Sequence, residues 1–546
     1  MQQNSSTGSR TARDLAVLVG LIILLHAPFV GQAFHLDDVQ YLDVALNVAH
    51  NPLFPMDMPS VFEGQHLTLW GHTHPPLNAY LIAGLVFLHG GAPLEVFLHS
   101  VFLFFPILLT ISFYFLARRF AADPLMASAL LTTNPTLMIS AHTLMADVPL
   151  VALWVCATVL FLRGIDEEKT DFVYASAIPI TAACFYAYQG LALLPLLAFY
   201  ALARRRLNGA SIQVLGIPIV LMGAWQLSGY LHRGVSYAST MFEYIGVRGL
   251  WLGSTKVKST IVTLTYLGGT ILPFPFIFWK MGVRWKGVLT GASLAVALIV
   301  ARQWLPNYAV FAPYTPLEKA FFIACFAAGL TAFAWIVARA SESWSLQGWA
   351  ADELFLCLWF VGMMVGCTLA FISGSARYLL PAAPALLLLV MRFVKRAPVF
   401  YASLLTVQIV LGFALSHSDY EFAGVGRRES REFESRYLTT NRPFLFSAEW
   451  GLRYYLHSSG GEIMAEDSTA SPGEYVVKSR LALGRSFNND LDRSLQLVEQ
   501  RTYRIRSPFR LLDPHTHAGF WSDGWGVLPF WFSRQELDEF SIYRVP

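Results

Sequence analysis

Asp37 and Asp38 are adjacent carboxylates in a stretch, residues 34–76, that contains no Lys or Arg and holds five of the chain's fourteen histidines. Carboxylates beside imidazoles can move protons or hold a metal ion. On a helix the two acids point about 100° apart, so one can face a substrate while the other binds the backbone. Asp37 and Tyr41, at i and i+4, then share a face. The plain alternative is that one acid only caps the helix start.

Other residues with chemical potential lie near further span ends. Asp147, in Met145-Ala146-Asp147-Val148-Pro149, precedes a proline that suits a helix start. Arg377 is the one basic residue of the turn Ser373–Tyr378; its guanidinium fork matches phosphate oxygens, although it could simply snorkel to the interface. Tyr186, Tyr188 and Gln189 could line a sugar pocket, or belong to an interfacial aromatic belt. His72 and His74 could hold a divalent metal with Asp38. Their i, i+2 spacing suits an extended segment and does not require one.

The elements that must position these residues are membrane spans. The chain is 55% hydrophobic and 14% charged, outside the range of soluble domains. Apolar runs of about 17–25 residues recur up to Ser416. We expect thirteen spans, near 15–34, 94–117, 124–142, 147–163, 172–188, 190–203, 209–230, 259–279, 287–303, 317–338, 353–372, 378–393 and 398–416. With a cytoplasmic N-terminus, the basic turns at Arg118-Arg119, Arg163 and Lys169, Arg204–Arg206, Lys280–Lys286, Arg339 and Arg392–Arg396 fall on one side, as the positive-inside rule demands. The loop with Arg233, Arg248, Lys256 and Lys258 is the exception. Asp37, Asp147 and Arg377 fall on the opposite, extracytoplasmic side.

Residues 34–93 form the first outside loop. Leu77 to His89 is too short to span, and Val39 to Ala49 carries one apolar stripe, so both are expected as juxtamembrane helices. Residues 1–416 are thus a membrane domain, and the polar residues 417–546 are a small extracytoplasmic α/β domain. Its strands are expected at 442–450, 461–465, 475–478, 494–505, 527–532 and 540–545, with a helix at 451–457. The five cysteines lie in spans without CxxC spacing, which argues against a disulfide framework or a cysteine metal site. No basic, aromatic-interleaved stretch suggests nucleic acid.

Four segments together resemble the membrane glycosyltransferases of GT-C fold, in the branch of protein O-mannosyltransferases and lipid A aminoarabinose transferases. Asp37-Asp38-Val39-Gln40-Tyr41 is similar to that branch's first-loop motif, and His74-Pro75-Pro76-Leu77 to its basic-residue-Pro-Pro-Leu motif. Arg377-Tyr378-Leu379-Leu380-Pro381 resembles its late Arg-Tyr segment, and Asp147-Val148-Pro149 fits an acid of the second outside loop. Asp38 stands where Glu is commoner. His74 replaces the lysine of the aminoarabinose transferases, making that contact pH-dependent.

The resemblance implies transfer of a sugar from a polyprenyl-phosphate donor to an acceptor hydroxyl on a protein, lipid or glycan, outside the inner membrane. Asp37 would be the general base, with Asp38 and Asp147 beside it. Arg377, and His74 when protonated, would hold the donor phosphate. Tyr41, His72, Tyr186, Gln189 and Tyr378 would contact substrate. A metal-dependent oligosaccharyltransferase is the runner-up. A secondary transporter or a non-catalytic envelope assembly protein is the alternative from another class.

Overall fold

The computed structural model describes the chain except for residues 1, 72–73, 248–251, 272–277, 282, 306–312, 344–347, 372–373, 394–396, 439–443 and 483–488. His72, Arg248, Lys395, Arg396 and the start of the strand expected at 442 lie outside the described residues.

Among the described residues, eight segments are helical, long and apolar enough to cross a membrane: Ser9–Phe29, Glu95–Phe120, Asp147–Asp166, Gly209–Arg233, Pro316–Glu342, Ala351–Ala370, Ala376–Phe393 and Pro398–Tyr437. They coincide with eight of the thirteen expected spans. The other five contain helices that are shorter, broken or less apolar, and residues 272–277 of the span expected at 259–279 lie outside the described residues. Residues 124–142, expected as one span, form two short helices, Pro124–Thr132 and Pro135–Ser140. The break has a local cause: Pro135 disfavours helical backbone at Asn134, whose side chain instead accepts the N–H groups of Thr136 and Leu137 and so caps the second helix. Residues 190–203 are likewise split into a 3-10 turn, Tyr188–Ala192, and a helix, Leu193–Ala203.

Basic turns assigned to one side do meet. Arg119 and Arg204 both pair with Asp166 and Asp352. At the opposite end, the first loop forms the two expected short helices, Asp38–Asn47 and Leu77–Leu88. Between them is an unexpected antiparallel hairpin, β1 (Pro59–Phe62) and β2 (Gln65–Thr68). Its turn, Glu63-Gly64, has positive φ at both residues, the backbone a two-residue hairpin turn needs.

The last span does not stop at Ser416. Pro398–Tyr437 is one helix of 40 residues, about 60 Å long against a hydrocarbon thickness of about 30 Å. Its second half therefore leaves the membrane, and the compositional boundary after Ser416 falls inside a continuous helix. Beyond it lies a five-stranded sheet in the order β4-β3-β5-β9-β6, where β3 is Phe444–Ser447, β4 Gly461–Ile463, β5 Tyr475–Ser479, β6 Gln496–Tyr503 and β9 Asp538–Arg544. β3 runs parallel to β4 and β5, and β9 antiparallel to β5 and β6. The alternation in β9 turns Phe540 and Ile542 into the core. A further pair, β7 (Phe509–Arg510) and β8 (Trp531–Phe532), brackets a segment of irregular backbone.

That segment folds back onto the membrane helices. The Tyr266 hydroxyl donates to the carbonyls of Gly519 and Gly526. His517 stacks on Tyr314 and lies 3.2 Å from Glu318, and Lys258 pairs with Asp523 at 3.2 Å.

Candidate active site

Asp37 precedes the helix Asp38–Asn47 but makes no capping hydrogen bond, which removes the plain reading of this acid. Its Oδ2 instead accepts from Arg377 Nη2 at 2.6 Å. Asp147, the first residue of its helix, brings Oδ2 to 3.7 Å from Arg377 Nε. The guanidinium thus lies between two carboxylates that are 110 residues apart in the chain. Its Nη1 also contacts the Met145 sulfur. The Tyr378 ring lies 5.1 Å from the guanidinium carbon, and Nη2 reaches the Tyr378 hydroxyl at 3.4 Å.

Exposure separates the members of this cluster. The Arg377 side chain is 9% exposed and Asp147 13%, whereas Asp37 is 38% exposed. Asp37 is the side through which a molecule can approach. Arg377 Nε, buried, makes no hydrogen bond, so the guanidinium retains donor capacity.

Tyr41, one helical turn beyond Asp37, is drawn into the same group. Burial, with the charges of Asp147 and Asp37, raises its phenol well above the ordinary value, so the hydroxyl stays protonated and can donate. His74 is half-buried. Burial and the Arg377 charge lower its imidazole to about 4, against a smaller upward pull from Asp37. At neutral pH it is therefore uncharged. Burial and the guanidinium nearby both disfavour a second positive charge here.

Asp38 behaves unlike its neighbour. It is fully buried; Oδ1 accepts the Leu144 N–H at 2.7 Å and Oδ2 the His35 N–H at 3.2 Å. The Leu144 carbonyl is held in turn by Asn78 Nδ2 at 2.7 Å. Asp38 and Asn78 so pin, from both sides, the turn that delivers Met145 and Asp147. Asp38 serves to hold backbone and does not reach the open side of the cluster.

Among the described residues, the candidate metal set of His72, His74 and Asp38 is not brought together. Asp38 spends its oxygens on backbone donors, His72 lies outside the described residues, and no group of three or more His, Cys, Asp or Glu among the described residues is arranged to hold a metal. The position between Asp37 and Asp147, where a cation would bind, is taken by Arg377. Between these two carboxylates the donor set holds a guanidinium. Tyr186 packs edge-on against Phe105, and Gln189 lies in the adjoining 3-10 turn; the interactions described for these two do not include the acid–guanidinium cluster.

Three residues that the sequence had not marked stand directly behind the cluster. Asp419, fully buried in the long last helix, accepts from Trp521 Nε1 at 2.8 Å through Oδ1, and from Gln32 Nε2 at 3.1 Å through Oδ2. His35 Nε2 lies 3.1 Å from that same Oδ2. Burial alone would lower the His35 imidazole, but Asp419 and Asp38 outweigh it and raise it from 6.5 to about 9. The Trp521 ring also lies 5.8 Å from the Arg377 guanidinium. Only a Trp near an Arg-Tyr turn could have signalled this, and nothing in the sequence pairs them.

Residues 73–226 match the sequence model of the dolichyl-phosphate-mannose-protein mannosyltransferases. That stretch includes His74 and Asp147 but neither Asp37 nor Arg377. No curated protein sequence matches the chain. Among solved structures, the archaeal oligosaccharyltransferase AglB from Archaeoglobus fulgidus, in complex with an inhibitory peptide and a dolichol-phosphate, aligns with a TM-score of 0.51 at 12% identity, over 87% of this chain and 70% of that one. ArnT from Cupriavidus metallidurans aligns over 99% of this chain and 98% of its own, with a TM-score of 0.43 at 14% identity. The membrane helices, the acidic first loop and the likeness to AglB agree: the chain is a multi-pass membrane protein with the GT-C fold of membrane glycosyltransferases.

Proposed function

We propose that the protein is an extracytoplasmic glycosyltransferase that moves a sugar from a polyprenyl-phosphate donor to an acceptor hydroxyl. The observation that carries this reading is a buried arginine shared by two carboxylates, of which only Asp37 is substantially exposed. The family match over residues 73–226 and the dolichol-phosphate bound by AglB support a lipid-phosphate donor.

Without donor, Arg377 is engaged by Asp37. A donor phosphate is a stronger partner for a guanidinium fork and would draw the Nη hydrogens from Asp37. The freed carboxylate accepts the proton of the acceptor hydroxyl, which needs only hydrogen-bond reach. The acceptor oxygen forms its bond to the anomeric carbon as the bond from that carbon to the phosphate oxygen breaks. The electron pair leaves with the polyprenyl phosphate, where Arg377 stabilises the growing charge. Asp147 keeps the guanidinium oriented, and neutral His74 and the Tyr41 hydroxyl offer hydrogen bonds to sugar or phosphate. A single displacement inverts the anomeric carbon. No step requires a metal, because Arg377 supplies the positive charge.

Sidedness follows from the basic turns. The cluster containing Arg119 and Arg204 would face the cytoplasm with the N-terminus, and residues 417–546 would lie outside the inner membrane. The test is donor consumption by purified protein in lipid, across a panel of polyprenyl-phosphate sugars with candidate acceptors, with and without chelator. We expect one donor to be consumed, chelator to have no effect, and Asp37→Asn to abolish turnover while folding normally. Turnover that survives in Asp37→Asn, or that chelator removes, overturns the assignment.

A further inference from the structure

We propose that Asp419, His35 and Trp521 are positioning residues that seat Asp37 against Arg377, so that docking of the C-terminal domain's inward-folded segment completes the active site. This rests on the reading of Asp37 and Arg377 given above. It adds a role for three residues that contact neither acceptor nor donor in that scheme.

Residues 520–523 meet both halves of the pair. On the arginine side, the Phe520 carbonyl accepts from the Ala376 N–H at 2.9 Å and from the Ser375 hydroxyl at 3.0 Å. The Asp523 N–H donates to the Gly374 carbonyl at 2.8 Å. The 3-10 turn Ala376–Ala382, whose second residue is Arg377, is therefore strapped to this segment by three hydrogen bonds. On the acid side, the Trp521 indole N–H reaches Asp419, Asp419 reaches His35, and the His35 backbone N–H donates to Asp38, the neighbour of Asp37. One tryptophan thus sits between the guanidinium and the frame that carries its carboxylate.

Two features indicate that this frame holds the loop in a conformation it would otherwise leave. Leu36, between His35 and Asp37, has φ +50°, a left-handed backbone disfavoured for leucine because its Cβ crowds the following carbonyl oxygen. Behind it, Gly451 packs so closely that a Cβ there would lie 2.1 Å from the Phe34 carbonyl oxygen. Strain of this kind persists only where the surroundings over-determine it, and here they are Asp38, Asp419 and the C-terminal domain. A buried carboxylate such as Asp419 is itself tolerated only when paired. His35, Gln32 and Trp521 satisfy it together, so removing any one weakens the others' hold.

The test uses full-length protein in lipid and two readouts. The first is hydrogen exchange in peptides covering residues 34–48 and 374–382. The second is turnover of whichever donor the panel identifies. Trp521→Phe keeps an aromatic ring but loses the N–H along with part of the indole volume; Asp419→Asn keeps the shape and removes the charge. We expect faster exchange at residues 36–41 in both variants. We also expect kcat to fall about tenfold to a hundredfold, the range for a small displacement of reacting groups, with donor KM within about threefold. His35→Gln, which can still donate to Asp419, should lose less than His35→Ala. Faster exchange confined to residues 513–528, with kcat as in the native protein, overturns the proposal. If native protein consumes no donor at all, the transferase reading fails, and the exchange at residues 36–41 still decides whether the relay positions the loop.

Discussion

Two arginine–aspartate pairs on the same side of the molecule make an instructive contrast. Arg510 and Asp513 lie 2.8 Å apart with side-chain exposures of 1% and 0%. Arg510 also donates to the carbonyls of Ser507, Phe509 and Gln535. Its guanidinium is spent on holding the chain. Arg377 is almost as buried, but it is shared between two acids, and one of them is open. A buried ion pair closed in by backbone carbonyls is structure. One whose acid partner opens to solvent is equipped to exchange that partner for an anion.

Ways to break that contrast can be ranked by expected effect. Asp37→Asn should reduce transfer by about a hundredfold to ten-thousandfold, the usual range for a general base, with little change in thermal stability. Measured donor consumption and melting temperature together check this. Asp513→Asn should do the reverse, leaving Arg510 buried without its counter-charge at a cost of about 3–5 kcal/mol. Denaturation of the purified variant reads it, and kcat per folded molecule should be unchanged. Arg377→Lys should fall between the two: an ammonium keeps the charge but loses the fork. Donor KM should rise, and transfer should drop about tenfold or more.

Smaller and graded is the pH response. His35 is raised to about 9 by Asp419 and Asp38, with Glu429 and Asp538 lining the small cavity next to it. Stability from its charge is fully present below pH 6.5 and is lost as pH rises through about 9. Melting temperature should decline across that window, and His35→Gln should flatten the decline. His74 has the opposite sign. Lowered to about 4, it contributes nothing adverse above pH 6.5 and destabilises the loop as pH falls toward 4. Melting curves of His74→Gln should differ from native only in this acid range.

Much of the architecture was legible in the chain. Run length and the side preference of Lys and Arg indicated membrane helices and gathered Asp37, Asp147 and Arg377 at one end before any contact was known. The short helices of the first loop followed from apolar periodicity and length. Misjudged elements have local explanations. Asn134-Pro135 breaks what its hydropathy describes as a span, and the polar half of the last helix conceals its continuity from any reading based on composition.

Within the site, sequence could mark Asp37 and Asp38 as a pair but not choose between them. Helix geometry requires that they diverge, and only the position of Leu144 decides which one turns inward. Likewise the charge of His74 depends on burial and on Arg377, which lies 303 residues away in the chain. The relay from Trp521 through Asp419 to His35 joins residues separated by 102 and 384 positions. Sequence alone indicated which groups gather at one end of the membrane helices, because burial in hydrocarbon and the sidedness of charge act locally along the chain. Which carboxylate is open, which imidazole is charged, and what braces the arginine were decided by tertiary packing, because desolvation and Coulomb interaction depend on distance in space.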